Sequence, residues 1–509
     1  MVLTVKLLEN EHWWGGCSAL GDKFPLNEKS DFFMPRTLTS NETMPFFVST
    51  KGRYVFSTKA MDITLKDSEF TFESDGEITL DQSGVCLRDA YLNGMKKHFP
   101  FRGAKLNLDF FKNIQYNTWI ECLYHPTQEK VLKYAHEVIE YGFLPGILMI
   151  DEGWHGRYGD WRFDPVKFPD PKAMIDELHD LGFKVMLWVV PMVCPDGEFF
   201  IHKYKADKEL FMRRKGDGKL LLVEWWNGFS AALDLSNKSD RSFLKEQLDT
   251  LMRDYGVDGF KFDGGNAAMY DPKKVVNGEA VSELDMYELN RAYNEFSVEY
   301  EYHEVKDSYG CGGLRQIQRL RDKWHRYEGE GLTSLIPDAA IASLIGHPFV
   351  CPDMVGAGEY SCFYSGQPVD GELFVRWAQC SALFPMMQFS KKPWDCLCKE
   401  HCDMVIEAGK LHDRFTDYII KEVEKSEESG EPILRLLEYS YPNEGFEAVK
   451  DEFLLGDDIL VAPVMAPNVR ERKVLFPSGK WQDEDGNVYE RGEYTVSAPL
   501  DKLPWFKRI

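Results

Sequence analysis

Positive charge is what this 509-residue chain most lacks: 60 Lys and Arg stand against 83 Asp and Glu, a formal net charge of -23. With no basic field to gather phosphates or anionic headgroups, neither nucleic acid nor a membrane surface is an expected partner. Long apolar runs are missing as well. FLPGILMI (143–150) is among the longest, and a bilayer span needs about 20 residues. The opening MVLTVKLLENEHWWGG has no charged segment leading into a long apolar one, so the expected location is cytoplasmic. The 12 His contain no HxH or HExxH pair, and the 11 Cys contain no CxxC. The first absence argues against a metal-dependent hydrolase and the second against a structural zinc site, although Cys396, Cys398, His401 and Cys402 cluster in WDCLCKEHCD. An odd cysteine count, with Cys122, Cys351 and Cys380 inside apolar segments, fits reduced thiols acting as small hydrophobes. There is no internal repeat, low-complexity tract or flexible linker.

What is present is ordinary for a folded protein: 44% apolar and 28% charged residues. Aromatics reach 14%, with 13 Trp and 23 Tyr. Such rings suit pyranose faces and large cores equally. The length exceeds what one core organises and fits a barrel of roughly 250–300 residues with smaller domains beside it.

Residues 1–105 alternate apolar and polar residues in short stretches such as RYVFSTK, DITLKD and FTFESDGEITL, which predicts an antiparallel β domain. From 106 to 390, apolar runs alternate with helical periodicity, the pattern of βαβ units. Strands are expected at NTWIECLY (117–124), GILMID (146–151), FKVMLWVV (183–190) and VDGFKFD, and later at HEVKDSYG, HPFVCPD and PMMQFS. The intervening helices include EKVLKYAHEVIEYG, with Val131, Ala135, Val138 and Ile139 on one face, and SDRSFLKEQLDTLMRDYG, with Ser239 as N-cap. Further helices are expected near 282–300, 333–345 and 371–382. Residues 391–509 begin helically and then turn β-like at ILRLLEYS, DEFLLGDDILVAPV and RKVLFPSGKWQ. The fold class is therefore α/β: a (β/α)8 barrel with an N-terminal β domain and a C-terminal helical segment and β domain.

In a parallel barrel the strand C-termini form the active face. Asp151 closes GILMID, Asp263 closes VDGFKFD, Asp353 follows HPFVCP, and Glu328 and Glu330 precede LTSLIPD. One such acid is most often a cap or a loop anchor. Several converging on one mouth suit glycoside hydrolysis, which needs one carboxylate to attack an anomeric carbon and one carboxylic acid to assist the leaving oxygen. In FKFDGG, Lys261 alternates onto the side of Asp263, where an ammonium keeps a carboxylate ionised. A salt bridge within the mouth is the plainer role for that lysine.

The ordered blocks GILMIDEGW, GDWRFDPVKFPDP, GFKVMLWVVP, WWNGFSAALDLSN, GFKFDGG, EGLTSLIPD, GHPFVCPDMVGAGE, ALFPMMQFS and GDDILVAPVM with LFPSGKW resemble glycoside hydrolase family 31 along nearly the whole chain. FKFD with a small residue after it, PDMVG, and MQFS before PW resemble the branch holding bacterial α-galactosidases and myogenesis-regulating glycosidases. The resemblance implies an N-terminal β-sandwich, a catalytic barrel, C-terminal β domains, and retention of the α configuration through a covalent glycosyl-aspartate. It implies no metal or organic cofactor. Position by position it makes Asp263 the nucleophile. The acid/base, an Asp in relatives, falls on Glu330, with Glu328 the fallback. Asp151 and Asp353 match sugar-facing positions, and Lys261, Trp188 and Trp226 join them as lining or stacking residues.

Two departures bear on the sugar. Where α-glucosidases of the family carry a second Asp in the strand-two motif, this chain has Trp154, and in place of a terminal Arg-Asn-His on strand eight it has Gln388, Phe389 and Ser390. Trp154 is thus expected to pack on a glycone with an axial O4. The expected activity is exo-acting release of terminal α-galactose from an α-linked oligosaccharide or glycoside. The alternatives are an α-glucosidase, an α-glycosidase for a modified glycone, and a weakly active or non-catalytic carbohydrate-binding relative. A homo-oligomer is compatible with the sequence.

Overall fold

The computed structural model describes residues 1–197, 200–202, 210–214, 217–271, 275–276 and 285–509, in two compact units. One unit comprises 115–311 and the other 1–114 with 312–509. Among the described residues no helix is long and apolar enough to cross a membrane, and all 11 cysteines are free thiols.

In the 115–311 unit five strands run parallel: β1 (Gln115–Asn117), β2 (Ile147–Ile150), β3 (Lys184–Val189), β4 (Gly259–Phe262) and β5 (Tyr302–Val305). The other unit contributes β6 (Gln318–Arg319) and β7 (Val350–Cys351), also parallel, and β8 (Gln388–Phe389). These are the eight strands of a (β/α)8 barrel. Buried on both faces, β2 (ILMI) carries no polar residue, as expected of a strand sandwiched between helices and barrel interior.

Helices follow the strands: α1 (Gln128–Glu140), α2 (Pro171–Asp180), α3 (Lys238–Tyr255), α4 (Met286–Ser297), α5 (Leu335–Leu344) and α6 (Gly371–Ala382). The start of the helix expected at 282 lies outside the described residues. All but α5 begin where a polar side chain takes an orphan backbone N–H, among them Thr127 for α1, Asp170 for α2 and Asp370 for α6. In α1, Val131, Tyr134, Ala135 and Val138 are buried, whereas Ile139 is 39% exposed, so the apolar face is rotated from the one expected.

The unit with both chain ends holds two antiparallel N-terminal sheets. One has the order Val2–Lys6, Glu69–Ser74, Met61–Lys66, Phe32–Met34. The other is built on Glu42–Ser49, Arg53–Ser57 and Ile78–Gln82, with Trp13–Cys17 added. It also holds the 31-residue helix Lys399–Ser429 and a six-stranded C-terminal sheet around Leu454, Leu460, Phe476, Trp481 and Phe506.

Three local expectations are corrected, and one strand, β6, has no counterpart among those expected. NTWIECLY is strand only at Asn117, the last residue of β1: the Asn117 side chain accepts the Trp119 N–H at 2.7 Å and turns the chain into the short helix Trp119–Cys122. ILRLLEYS is strand only at Leu434–Arg435, and Leu437–Ser440 is helical. β6 escapes an apolar pattern because it is two residues long, one of them arginine. The N-cap of α3 is Asn237, not Ser239, since the Asn237 side chain accepts from the Ser239 N–H at 2.8 Å. Asn237→Ala is therefore expected to lower stability by about 1 kcal/mol and Ser239→Ala to leave it almost unchanged, as read by urea denaturation of the two variants.

Candidate active site

The parallel register of β3 and β4 sets Trp188 beside Lys261 and Val189 beside Phe262, and the Asp263 N–H continues the ladder to the Val189 carbonyl at 2.9 Å. The nucleophile candidate is thereby held by sheet rather than by loop. Its carboxylate accepts from the Trp188 indole N–H at 2.9 Å on Oδ2 and from the Gly264 N–H at 2.8 Å on Oδ1. Gly264 and Gly265 both have left-handed φ, 60° and 62°, and a Cβ at Gly265 would come within 2.7 Å of the Tyr293 ring. Only glycine turns the chain this sharply behind the aspartate. Asp263 itself stays partly open. Burial raises its pKa, but Lys306, Lys261 and the two donors outweigh that, and the net displacement is downward.

Lys261 lies almost fully buried, and its ammonium donates to Asp151 Oδ2 at 2.6 Å. Asp151 also accepts from Asn117 Nδ2 at 2.8 Å and from the Glu152 N–H at 2.8 Å. Lys261 thus makes the ion pair, the plainer role, and its charge also acts on Asp263.

The tryptophans divide. Trp154 is 0% exposed, its indole N–H donates to the Trp188 carbonyl at 2.8 Å, and its ring packs on Phe163 and His155. Trp154 therefore belongs to the core and offers no face to a sugar, which corrects the stacking role expected of it. Trp188, 1% exposed, orients Asp263 instead of lining a wall. Trp226 is 48% exposed. It sits with Asn227 at the tip of the hairpin Leu222–Trp225 and Gly228–Ala232, whose base packs into a cluster with Trp188, Met192 and Tyr270. A Cβ on Gly264 would lie 3.5 Å from the outer edge of the Trp226 ring.

The 312–509 unit carries the remaining candidates. Arg319, 1% exposed at the end of β6, shares one guanidinium nitrogen between Asp353 Oδ1 at 2.7 Å and Asp322 Oδ1 at 2.8 Å. Asp353 also accepts from the backbone N–H groups of Lys323, Met354 and Gly358 at 2.8, 2.7 and 2.9 Å, and its own φ is +151°. That carboxylate is buried and filled with protein donors, so it organises the loops after β6 and β7, a correction to its expected sugar contact. Glu330 is half-exposed and pairs with Arg321 at 2.6 Å, and Glu328 is exposed.

Two acids went unnoticed in the sequence. Asp322 was masked in the charged run RLRDK, which reads as a solvated loop until β6 is known. Glu152 was masked by its neighbour Asp151. Among the described residues no group of three or more His, Cys, Asp and Glu is arranged to hold a metal ion.

The pattern of the glycosyl hydrolases family 31 TIM-barrel domain matches residues 111–420, and that of the family's C-terminal domain matches 430–509. The chain belongs to glycosyl hydrolase family 31. Myogenesis-regulating glycosidase of Mus musculus is 31% identical over 412 residues, covering 78% of this chain and 56% of that protein. Alpha-glucosidase 2 of Bacillus thermoamyloliquefaciens is 26% identical over 408 residues, covering 75% and 50%. This family 31 chain thus spans about half the length of the curated relatives it matches. A Flavobacterium johnsoniae GH31 dextranase complexed with glucose superposes with a TM-score of 0.83 at 18% identity, covering all of this chain and 66% of that one. That likeness confirms the barrel fold with its flanking β domains.

Lys261→Met removes the cation from a buried pair and should cost about 3–5 kcal/mol in urea denaturation. The folded pKa of Asp263 lies below its unfolded value, so its stabilising contribution is complete above about pH 4 and is lost as pH falls through the lower folded value. With the Lys261 charge gone, the acid limb of that stability profile should move to higher pH.

Proposed function

We propose that this chain is a retaining, exo-acting α-glycoside hydrolase that favours terminal α-galactosides, with Asp263 as nucleophile. The observation carrying this reading is the setting of Asp263: a partly open carboxylate, aimed by the Trp188 indole and the Gly264 N–H and kept ionised by two lysines. A fixed, ionised, accessible oxygen is what attack on an anomeric carbon requires. In the first step the Asp263 oxygen bonds to that carbon as the bond to the aglycone breaks, and the leaving oxygen takes a proton from a carboxylic acid. In the second, water attacks the glycosyl-aspartate and gives its proton to the same carboxylate.

The acid/base comes from the loop after β6, which carries Asp322 and Glu330. Asp322 takes precedence because it stands three residues beyond Arg319 and is aimed by it, with a side chain 30% exposed. Glu330 lies farther along the loop, held to Arg321. The preference for galactose rests on Gln388, Phe389 and Ser390 in place of Arg-Asn-His, and on the half-exposed ring of Trp226. An axial O4 leaves galactose one broad apolar face to lay on such a ring. α-Glucosides are the second substrate class.

With 4-nitrophenyl α-galactoside and α-glucoside, Asp263→Asn should lose about 1,000-fold or more in kcat. Undiminished turnover would remove Asp263 from the mechanism. Asp322→Asn and Glu330→Gln separate the two acids: loss of the acid/base should slow an alkyl α-galactoside by about 100- to 10,000-fold while sparing α-galactosyl fluoride, whose leaving group needs no proton. If neither variant shows that split, acid assistance from this loop is ruled out, and fluoride-inert sugar binding would favour a non-catalytic carbohydrate-binding protein.

A further inference from the structure

Glu152 is the carboxyl group beside Asp263 that the double displacement leaves unused. It is 3% exposed. Its Oε1 receives the Tyr158 hydroxyl at 2.6 Å, Asn227 Nδ2 at 2.5 Å and the Trp226 indole N–H at 3.4 Å. Amide and indole N–H groups only donate, so Oε1 must remain the accepting oxygen, and any proton on this carboxyl sits on Oε2. Among the described residues Oε2 has no hydrogen-bond partner. Oε2 is not among the fully enclosed unpartnered polar atoms, so water or a ligand can reach it and supply the partner that the protein does not.

The surroundings say what that ligand touches. Burial raises the Glu152 pKa to about 7, with Asp151 and Asp263 also pushing it upward, so Glu152 lies within the electrostatic reach of the nucleophile. Trp226, which donates to Oε1, borders Gly264 with the outer edge of its ring. A sugar attacked by Asp263 would lie against these same groups.

We propose that Glu152 selects the glycone: its Oε2 bonds a hydroxyl of a neutral sugar whose apolar face lies on Trp226, and glycones bearing an anionic group are turned away. This rests on the glycosidase reading above. A hydroxyl both donates and accepts, so it satisfies Oε2 with or without a proton. A carboxylate or sulfonate would instead meet Asp151, Glu152 and Asp263 together, three carboxyl groups against Lys306 and a Lys261 ammonium already engaged by Asp151. The hairpin tip supplies both the stacking ring and two of the donors that fix Oε1, which makes Trp226 and Asn227 positioning residues for the selector.

The test uses the full chain and calorimetric titration with D-galactose, D-glucose and D-galacturonate, alongside kcat and KM for 4-nitrophenyl α-galactoside. The wild type should bind a neutral sugar at least about tenfold more tightly than galacturonate. Glu152→Ala should weaken neutral-sugar binding about tenfold or more, chiefly in KM, while Glu152→Gln keeps most of that affinity and narrows the neutral-to-anionic ratio. Trp226→Ala should weaken both sugars and narrow the ratio less than Glu152→Gln does, since Tyr158 and Asn227 still hold Oε1, which separates stacking from charge selection. Thermal melts confirm that each variant is folded. An unchanged ratio in both Glu152 variants, equal wild-type affinity for galactose and galacturonate, or no monosaccharide binding at all would overturn the proposal. Absence of turnover on every aryl glycoside, with the binding ratios as expected, would sink the hydrolase reading alone.

Discussion

An ammonium buried at the mouth of a parallel sheet governs the charge of the 115–311 unit. Lys261 is carried there by the alternation of β4, which turns residues 259 and 261 one way and 260 and 262 the other. Desolvating that cation is expensive, and Asp151 at 2.6 Å offsets the cost. Asp151 in turn needs its other lone pairs filled, which Asn117 and the Glu152 N–H do. The neighbouring strand ends are thus tied to one another by the need to keep a single positive charge in a low dielectric, and the residual field keeps Asp263 ionised. The tryptophan at the same register level on β3 then fixes the direction in which that ionised oxygen points.

The 312–509 unit solves a similar problem with arginine. Arg319 is buried, always charged, and shares one nitrogen between Asp353 and Asp322. Asp353 is saturated by backbone donors as well, at the cost of a backbone angle that side chains rarely adopt. It is an anchor for two loops. Asp322 is the more exposed of the two carboxylates, its side chain 30% open while Arg319 fixes its direction.

Legibility in the sequence followed element length. β2 and β3, with their runs ILMI and KVMLWV, and α1, α2 and α3, with strong apolar periodicity, are all visible from pattern alone. The two-residue strand β6 is not, because it consists of Gln318 and Arg319, both buried yet polar, and leaves no apolar signature. Missing that strand hid Asp322, since a carboxylate gains meaning only from the strand end it follows. Trp154 shows the converse error. A tryptophan in a motif position invites a sugar-stacking role, yet the indole is enclosed by Phe163 and His155, and burial cannot be read from residue type.

By itself the sequence determined the βα alternation and the family resemblance, and it singled out Asp263 at a strand end as the candidate nucleophile, because each is written in local periodicity or in short contiguous blocks. Only the tertiary structure decided which of the many acids are spent on holding the protein together and which keep an oxygen to spare. That division depends on donors arriving from residues far along the chain: Lys261 to Asp151, Trp188 to Asp263, Arg319 to Asp353, and the hairpin tip to Glu152. No spacing rule encodes such meetings, since they arise when separate strands are laid side by side in register.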